Sequence, residues 1–151
     1  MPEVIIFTGL QASGKSTYYK EHLFQSHLRV SLDLLRTRSR EKKLIEYCLE
    51  TEMNFVVDNT NPSREARERY FDLIKEKPQF EVTGYYFQSK IEECVFRNSA
   101  RVESEKIPDI GIRSTYSKLK VPEISEGFKS LWYIRILENG GFVKEPWSDE
   151  I

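Results

Sequence analysis

A parallel α/β sheet with helices on both faces is the fold class that this 151-residue sequence predicts. Two observations carry that prediction. Short apolar runs alternate with longer stretches of helical period, an order that places strands side by side and helices across them. The first apolar run, Val4-Ile5-Ile6-Phe7, also feeds straight into Gly9-Leu10-Gln11-Ala12-Ser13-Gly14-Lys15-Ser16, a loop of the form G-x-x-x-x-G-K-[ST] that needs a strand before it and a helix after it.

The elements follow in order. Val4–Thr8 is the first strand, and a helix from Thr17 to about Gln25 follows the loop. Leu28–Leu32 is a short second strand. Asp33 to about Glu52 reads as one charged helix, with Leu34, Leu35, Leu44, Ile45 and Leu49 as its apolar positions. Phe55-Val56-Val57 is the third strand. Asn61-Pro62-Ser63 then opens a helix to about Lys77, with Asn61 as cap and Pro62 at the first helical position. Phe80–Phe87 is the fourth strand, followed by a helix from Ser89 or Lys90 to near Arg101. Pro108–Lys120 is helical and Leu131–Leu137 is the fifth strand. Asn139-Gly140-Gly141 turns the chain back through Phe142-Val143.

The glycine loop assigns the ligand. Its backbone N–H groups wrap the phosphates of a nucleoside triphosphate, Lys15 reaches the β- and γ-phosphates, and the Ser16 hydroxyl ligates Mg²⁺. Gly9, Ala12, Ser13, Gly14, Lys15, Ser16 and Thr17 therefore make up the expected nucleotide cradle. In open parallel sheets ligands lie beyond the carboxyl ends of the strands, so the segments after each strand carry the remaining candidates.

Composition bounds the alternatives. The length suits one domain with one core, and the formal net charge of −1 neither demands nor excludes an anionic partner. Charge is nonetheless uneven. Arg29, Arg36, Arg38, Arg40, Lys42 and Lys43 against Asp33 and Glu41 leave residues 29–43 at +4, residues 97–120 stand at +3, and the chain after Glu138 is acidic. Cys48 and Cys94 show no metal-ligand spacing, and with no signal peptide or apolar run of membrane-spanning length they read as reduced thiols of a cytoplasmic protein. His22 and His27 are isolated and form no ligand cluster.

Four groups are placed for chemistry. Asp33, just past the second strand, suits a proton acceptor facing the phosphate loop, since in a loose transition state orientation outweighs basicity. Its structural alternative is a helix cap. Arg36, three residues on, reads as sharing Asp33's helix face, where it would grip an acceptor phosphate; the alternative is an intrahelical ion pair. Asp58 ends an apolar strand, as Mg²⁺-organising carboxylates do, and with Thr60 and Asn61 it forms a polar cluster expected to touch acceptor or metal-bound water. Arg97 and Arg101 lead into the charged stretch Val102–Ile107. That stretch reads as a lid whose arginine neutralises transition-state charge, although charges at a helix C-terminus predict the same residues.

Together these motifs resemble the kinase module of polynucleotide 5′-hydroxyl kinases of the phage-type and animal repair enzymes. The resemblance rests on Gly9–Thr17, Asp33-x-x-Arg36, Asp58-Asn59-Thr60-Asn61-Pro62, Arg97-Asn98-Ser99-Ala100-Arg101, and Ile107-Pro108 with Arg113, Tyr116, Lys118 and the tail Val121–Phe128. It implies a P-loop kinase fold with a five-stranded parallel sheet in the order 2-3-1-4-5 and a small helical lid around 98–112. It also implies ATP and Mg²⁺, with Lys15 on the donor phosphates and Ser16 on the metal. Asp33 would be the general base, Arg36 the clamp on the acceptor's 3′-phosphate, and Arg101 the lid arginine. The implied partner is a nucleic acid with a 5′-hydroxyl end; phosphatase and ligase steps would fall to separate proteins. Two other readings are a P-loop kinase for a small-molecule hydroxyl and a nucleotide-gated binding module without catalysis. The first leaves the basic patches and Arg36 unexplained, and the second leaves no use for an intact Lys15, Ser16 and Asp33.

Overall fold

In the computed structural model, which describes residues 1–148, six strands form one sheet in the order β2-β3-β1-β4-β5-β6. These are β1 (Glu3–Thr8), β2 (Leu28–Val30), β3 (Phe55–Val57), β4 (Glu81–Phe87), β5 (Ser130–Ile136) and β6 (Phe142–Pro146). The first five are parallel in the expected order. The Asn139–Gly141 turn adds β6 as an antiparallel edge, with Ile136 opposite Phe142, so the sheet has six strands rather than five.

Strand periodicity divides the core. Val4 and Ile6 of β1 face one side with Phe55, Val57, Val82 and Leu131, against Ile45, Cys48 and Leu49 of helix α3 (Arg38–Thr51) and Tyr70 and Ile74 of α4 (Arg64–Ile74). Ile5 and Phe7 face the other side with Val56, Tyr85, Phe87 and Ile134, under Tyr18, Tyr19 and Leu23. A sheet buried on both faces explains why its strands read as near-continuous apolar runs. A third cluster, built on Leu10, Cys94 and Ile112, packs α5 (Ile91–Ser99) and α6 (Asp109–Lys118) beneath the glycine loop.

Three of the boundaries that differ from the sequence reading bear on the site. The helix after the loop starts at Lys15 as α1 (Lys15–Tyr18) and widens to a π-turn over Tyr19–Leu23. The single helix expected from Asp33 is two. α2 (Leu32–Leu35) ends where Arg36 takes φ 74°, and α3 begins afresh with the Thr37 side chain accepting from Arg40 N–H. The next helix is capped by Ser63, not Asn61, so Pro62 precedes the cap instead of following it. Asn61 is committed elsewhere. Buried and at φ 42°, it donates through Nδ2 to the Phe7 carbonyl at 2.7 Å.

One ion pair locks the second half of the chain to the first. Arg67, fully buried, donates Nε and Nη2 to the two carboxylate oxygens of Glu126 at 2.8 and 3.0 Å and Nη1 to the Asn61 carbonyl. A planar, two-pronged pair of this kind satisfies both partners where water is excluded. Among the described residues no helix is long and apolar enough to cross a membrane.

Candidate active site

The glycine loop leaves the end of β1 and is held from three sides. Gly9 N–H donates to the Thr60 carbonyl at 3.0 Å, Leu10 N–H donates to Ser89 Oγ at 3.0 Å, and Arg97 Nη1 donates to the Ala12 carbonyl at 2.8 Å. A side chain at Gly9 would put its Cβ 3.0 Å from that of Phe87. Gly14 at φ 99° adopts a conformation that other residues resist, and a Cβ there would press on Phe142 and Ile136. The loop thus turns its backbone toward a cavity of about 180 Å³ lined by Ala12, Gly14, Thr17, Arg97, Arg101, Ile136, Gly140 and Phe142. The last three belong to the β5–β6 hairpin, and sequence reading did not assign them to the site.

Lys15 is buried, and its ammonium donates to the carbonyls of Gly9 and Leu10 at 3.0 and 2.7 Å. Burial pulls its pKa down from 10.5 to about 8, against the opposing pull of Asp58, with smaller effects from Cys94, Arg101 and Asp33. Of the charged groups chosen from sequence, Asp33, Asp58 and Arg101 therefore act on this ammonium.

Ser16 and Asp58 meet: Ser16 Oγ donates to Asp58 Oδ2 at 2.9 Å. Sequence reading missed their third partner. Arg29 of β2 donates Nε to the same Asp58 oxygen at 2.7 Å and Nη2 to Ser16 Oγ at 3.0 Å. It had counted only as part of a basic patch, because the contact joins residues 29 apart through the pairing of β2 with β3. The oxygen pair suits Mg²⁺, whose octahedral bonds of about 2.05 Å place neighbouring ligands roughly 2.9 Å apart. Among the described residues no group of three or more His, Cys, Asp or Glu could hold a metal alone. Mg²⁺ needs none, since it binds through one or two protein oxygens together with substrate phosphates. The donor set therefore fits that ion.

Asp33 lies in the first turn of α2 but does not cap it. Ser31 does, its Oγ accepting from Asp33 N–H at 3.2 Å, while Asn59 Oδ1 accepts the neighbouring Leu32 N–H at 2.9 Å. Beneath α2, Asn59 Nδ2 donates to Glu41 and Tyr70, and Tyr70 Oη donates to Glu41. α2 thus rests on a partly buried network that Arg38 joins by donating to Glu41 and Tyr70. Asp33 and Arg36 are both exposed, and neither side chain pairs with another described residue. Because α2 ends before Arg36, the two do not share a helix face, and the intrahelical ion pair does not form.

Thr60 contributes its carbonyl to the loop and Asn61 its amide to β1, so both brace the site from below. At the other end, Asn98 clamps Ile107 by two hydrogen bonds of 2.6 and 3.0 Å, closing the segment 98–107 into a short loop around a 3₁₀ turn at Glu103–Glu105. The Arg97 side chain is tied to Ala12 and to Glu93, whereas among the described residues the Arg101 side chain donates to the Glu105 carbonyl alone, at 3.3 Å inside that loop. The Arg101 side chain is thus less tied down than that of Arg97. Arg101→Ala is expected to lower turnover at least ten-fold, about the worth of one charge-assisted contact. Arg97→Ala is expected to weaken nucleotide binding through the loop it supports. Steady-state kinetics beside nucleotide titrations check the contrast, and equal small effects would reduce both to helix-end charges.

No family model matches the chain. Curated relatives do, among them the bifunctional polynucleotide phosphatase/kinase of Schizosaccharomyces pombe, 30% identical over 133 residues, and the putative one of Acanthamoeba polyphaga mimivirus, 23% identical over 150. The matches take in 85% and 95% of this chain but only 32% and 36% of those proteins, so the chain spans about a third of their length. Among solved structures, the fold is similar to a chain of the Pnkp1/Rnl/Hen1 RNA repair complex (TM-score 0.64, 22% identity, 78% of this chain and 44% of that one). It is also similar to a gluconokinase from Sinorhizobium meliloti 1021 (TM-score 0.60, 15% identity, 91% and 84%). The fold is that of P-loop kinases, and the resemblance read from the motifs stands in the sequence relatives.

Proposed function

We propose that this chain transfers the γ-phosphoryl group of ATP to the 5′-hydroxyl end of a polynucleotide. The observation that supports it most is the pair Asp33 and Arg36. Both are exposed and unpaired, one in the short helix after β2 and one just past it, and Asp33 lies within electrostatic reach of Lys15. An exposed carboxylate within electrostatic reach of the loop lysine, with a free guanidinium just past the same short helix, suits an acceptor that brings a hydroxyl and a phosphate together, as a 5′-terminal nucleotide does.

In this reading the loop amides and Lys15 hold the donor phosphates, and Asp33 aligns the attacking hydroxyl. The oxygen bonds to the γ-phosphorus as the bond to the β-phosphate oxygen breaks, the hydroxyl proton passes to Asp33, and ADP leaves. Ser16 and Asp58 would hold Mg²⁺, which when bound neutralises charge on the β- and γ-phosphates. Arg101 comes from the 98–112 lid to the same charge. The similarity to a phosphatase/kinase supports a nucleic-acid end as acceptor, with phosphatase and ligase steps on other proteins or segments.

The second reading, a kinase for a small hydroxyl compound, draws on the gluconokinase likeness. One comparison separates them. If Arg36 grips the phosphate on the 3′ side of the reacting nucleoside, a nucleoside 3′-monophosphate is phosphorylated at its 5′-hydroxyl while the bare nucleoside reacts about ten- to a hundred-fold more slowly. Arg36→Ala is expected to erase most of that preference without changing ATP affinity. Bare nucleosides or sugars reacting as well as nucleoside 3′-phosphates would overturn the polynucleotide reading.

A further inference from the structure

The two oxygens that suit the nucleotide's divalent cation are already engaged by a cation of the protein's own. Arg29 Nε and Nη2 aim at the lone pairs of Asp58 Oδ2 and Ser16 Oγ, while the Ser16 hydroxyl proton is donated to that same Asp58 oxygen. The three groups close a triangle in which every contact is 3.0 Å or less. Asp58 has its side chain only 1% exposed and pairs with no other described cation. A buried carboxylate needs a counter-charge, and Arg29 is the cation in direct contact with Asp58.

Each oxygen keeps a further lone pair, but a guanidinium and a divalent cation crowded against the same two oxygens repel each other strongly at a site this little exposed. We propose that Arg29 is a competitor of the divalent cation: binding of the metal–nucleotide complex displaces its guanidinium from Ser16 and Asp58, and the guanidinium returns when the metal leaves. The fold provides for both positions. β2 is the edge strand of the sheet, and the Arg29 side chain keeps 25% of its surface exposed, so it has solvent to swing into without disturbing the core. The Lys15 ammonium, donating to Gly9 and Leu10 carbonyls, must likewise change partners to meet phosphate. Arg29 thereby keeps the site electrically satisfied between nucleotides and sets how much divalent cation it takes to fill it. This concerns the donor side alone and holds whichever acceptor is used.

Mn²⁺ binding in the presence of a non-hydrolysable ATP analogue, followed by loss of the free-ion electron paramagnetic resonance signal, reads the competition without turnover. Arg29→Met keeps the apolar stem and removes the donors. It is expected to lower the Mn²⁺ concentration for half-saturation about ten-fold, within the usual range for coupling between two ligands of one site. Arg29→Lys, which presents one compact ammonium instead of two separated donors, is expected to fall between it and the wild type. Unchanged or weaker Mn²⁺ binding in Arg29→Met would overturn the proposal. Should that variant fail to fold, nuclear magnetic resonance of the wild-type arginine Nε–H groups decides. The Arg29 Nε–H is expected to stay protected from exchange with the analogue alone and to lose protection when Mg²⁺ is added. Protection persisting with Mg²⁺ would overturn it equally. A kinase that prefers sugars would leave all these outcomes intact, so this proposal and the polynucleotide reading fail separately.

Discussion

Lys15→Ala lowers phosphoryl transfer by about three orders of magnitude or more and leaves the fold intact. The loss follows from what the ammonium does: a donor aimed at developing charge in a water-poor site is worth hundreds-fold or more, and Lys15 is the buried cation of the loop. The intact fold follows from its pKa. Burial brings Lys15 from 10.5 to about 8, so the protonated side chain costs the folded state about 3 kcal/mol, and alanine removes that cost together with three hydrogen bonds to Gly9, Leu10 and Ser13. The sign fixes a pH signature. The cost is fully present below about 8 and vanishes as pH rises toward the unfolded value of 10.5. Nucleotide binding needs the charged form. ATP affinity is therefore expected to hold between pH 6.5 and 7.5 and to fall as pH rises past about 8, with uptake of a proton on binding. Calorimetric titrations in buffers of different ionisation heat measure that uptake, and Lys15→Ala abolishes it. An unaltered pH dependence in the variant would show that Lys15 does not hold the phosphates.

What the sequence showed and what it withheld divide by range. The glycine loop, the alternation of Val4–Thr8, Phe55–Val57 and Phe80–Phe87 with helical stretches, and the Asn139–Gly141 turn are local patterns, and the sheet follows from them with β6 added at the edge. The break between α2 and α3 was illegible because no glycine or proline marks it. An arginine at φ 74° has no composition signature, and only Thr37, a good cap, hinted at a second start. Asn61 and Ser63 are both good caps, and the choice was made by the distant Phe7 carbonyl, which claims the Asn61 amide. Within the site, Lys15, Ser16 and Asp58 were legible because each stands beside a strand end or inside the motif. Arg29 was not. A basic residue in a short strand points nowhere until β2 is laid beside β3 and its side chain falls over Asp58.

Asp33→Asn is expected to cut turnover by about two orders of magnitude or more, the usual worth of a positioned proton acceptor, while ATP binds as before. The structure makes this substitution unusually clean. The Asp33 carboxylate is exposed and unpaired with any described residue. The cap of α2 is Ser31, and the Leu32 amide is held by Asn59, so neither the helix nor its seat depends on the residue changed. Asparagine keeps the size and shape of the side chain but cannot take a proton, so lost chemistry is separated from lost structure. A loose transition state releases the hydroxyl proton late, so in the proposed role Asp33 would act by orientation rather than by basicity. Asp33→Glu, one methylene longer, is expected to recover only part of the rate. A 5′-hydroxyl oligonucleotide with labelled ATP measures turnover, and nucleotide titration and melting temperature confirm that donor binding and folding are unchanged. Ser31→Ala supplies the opposite pattern, a loss of about 0.5–2 kcal/mol in stability with most of the catalytic rate retained. Near-normal turnover in Asp33→Asn would remove the general base from the mechanism and leave orientation by the loop, Lys15 and Arg36 to account for the rate.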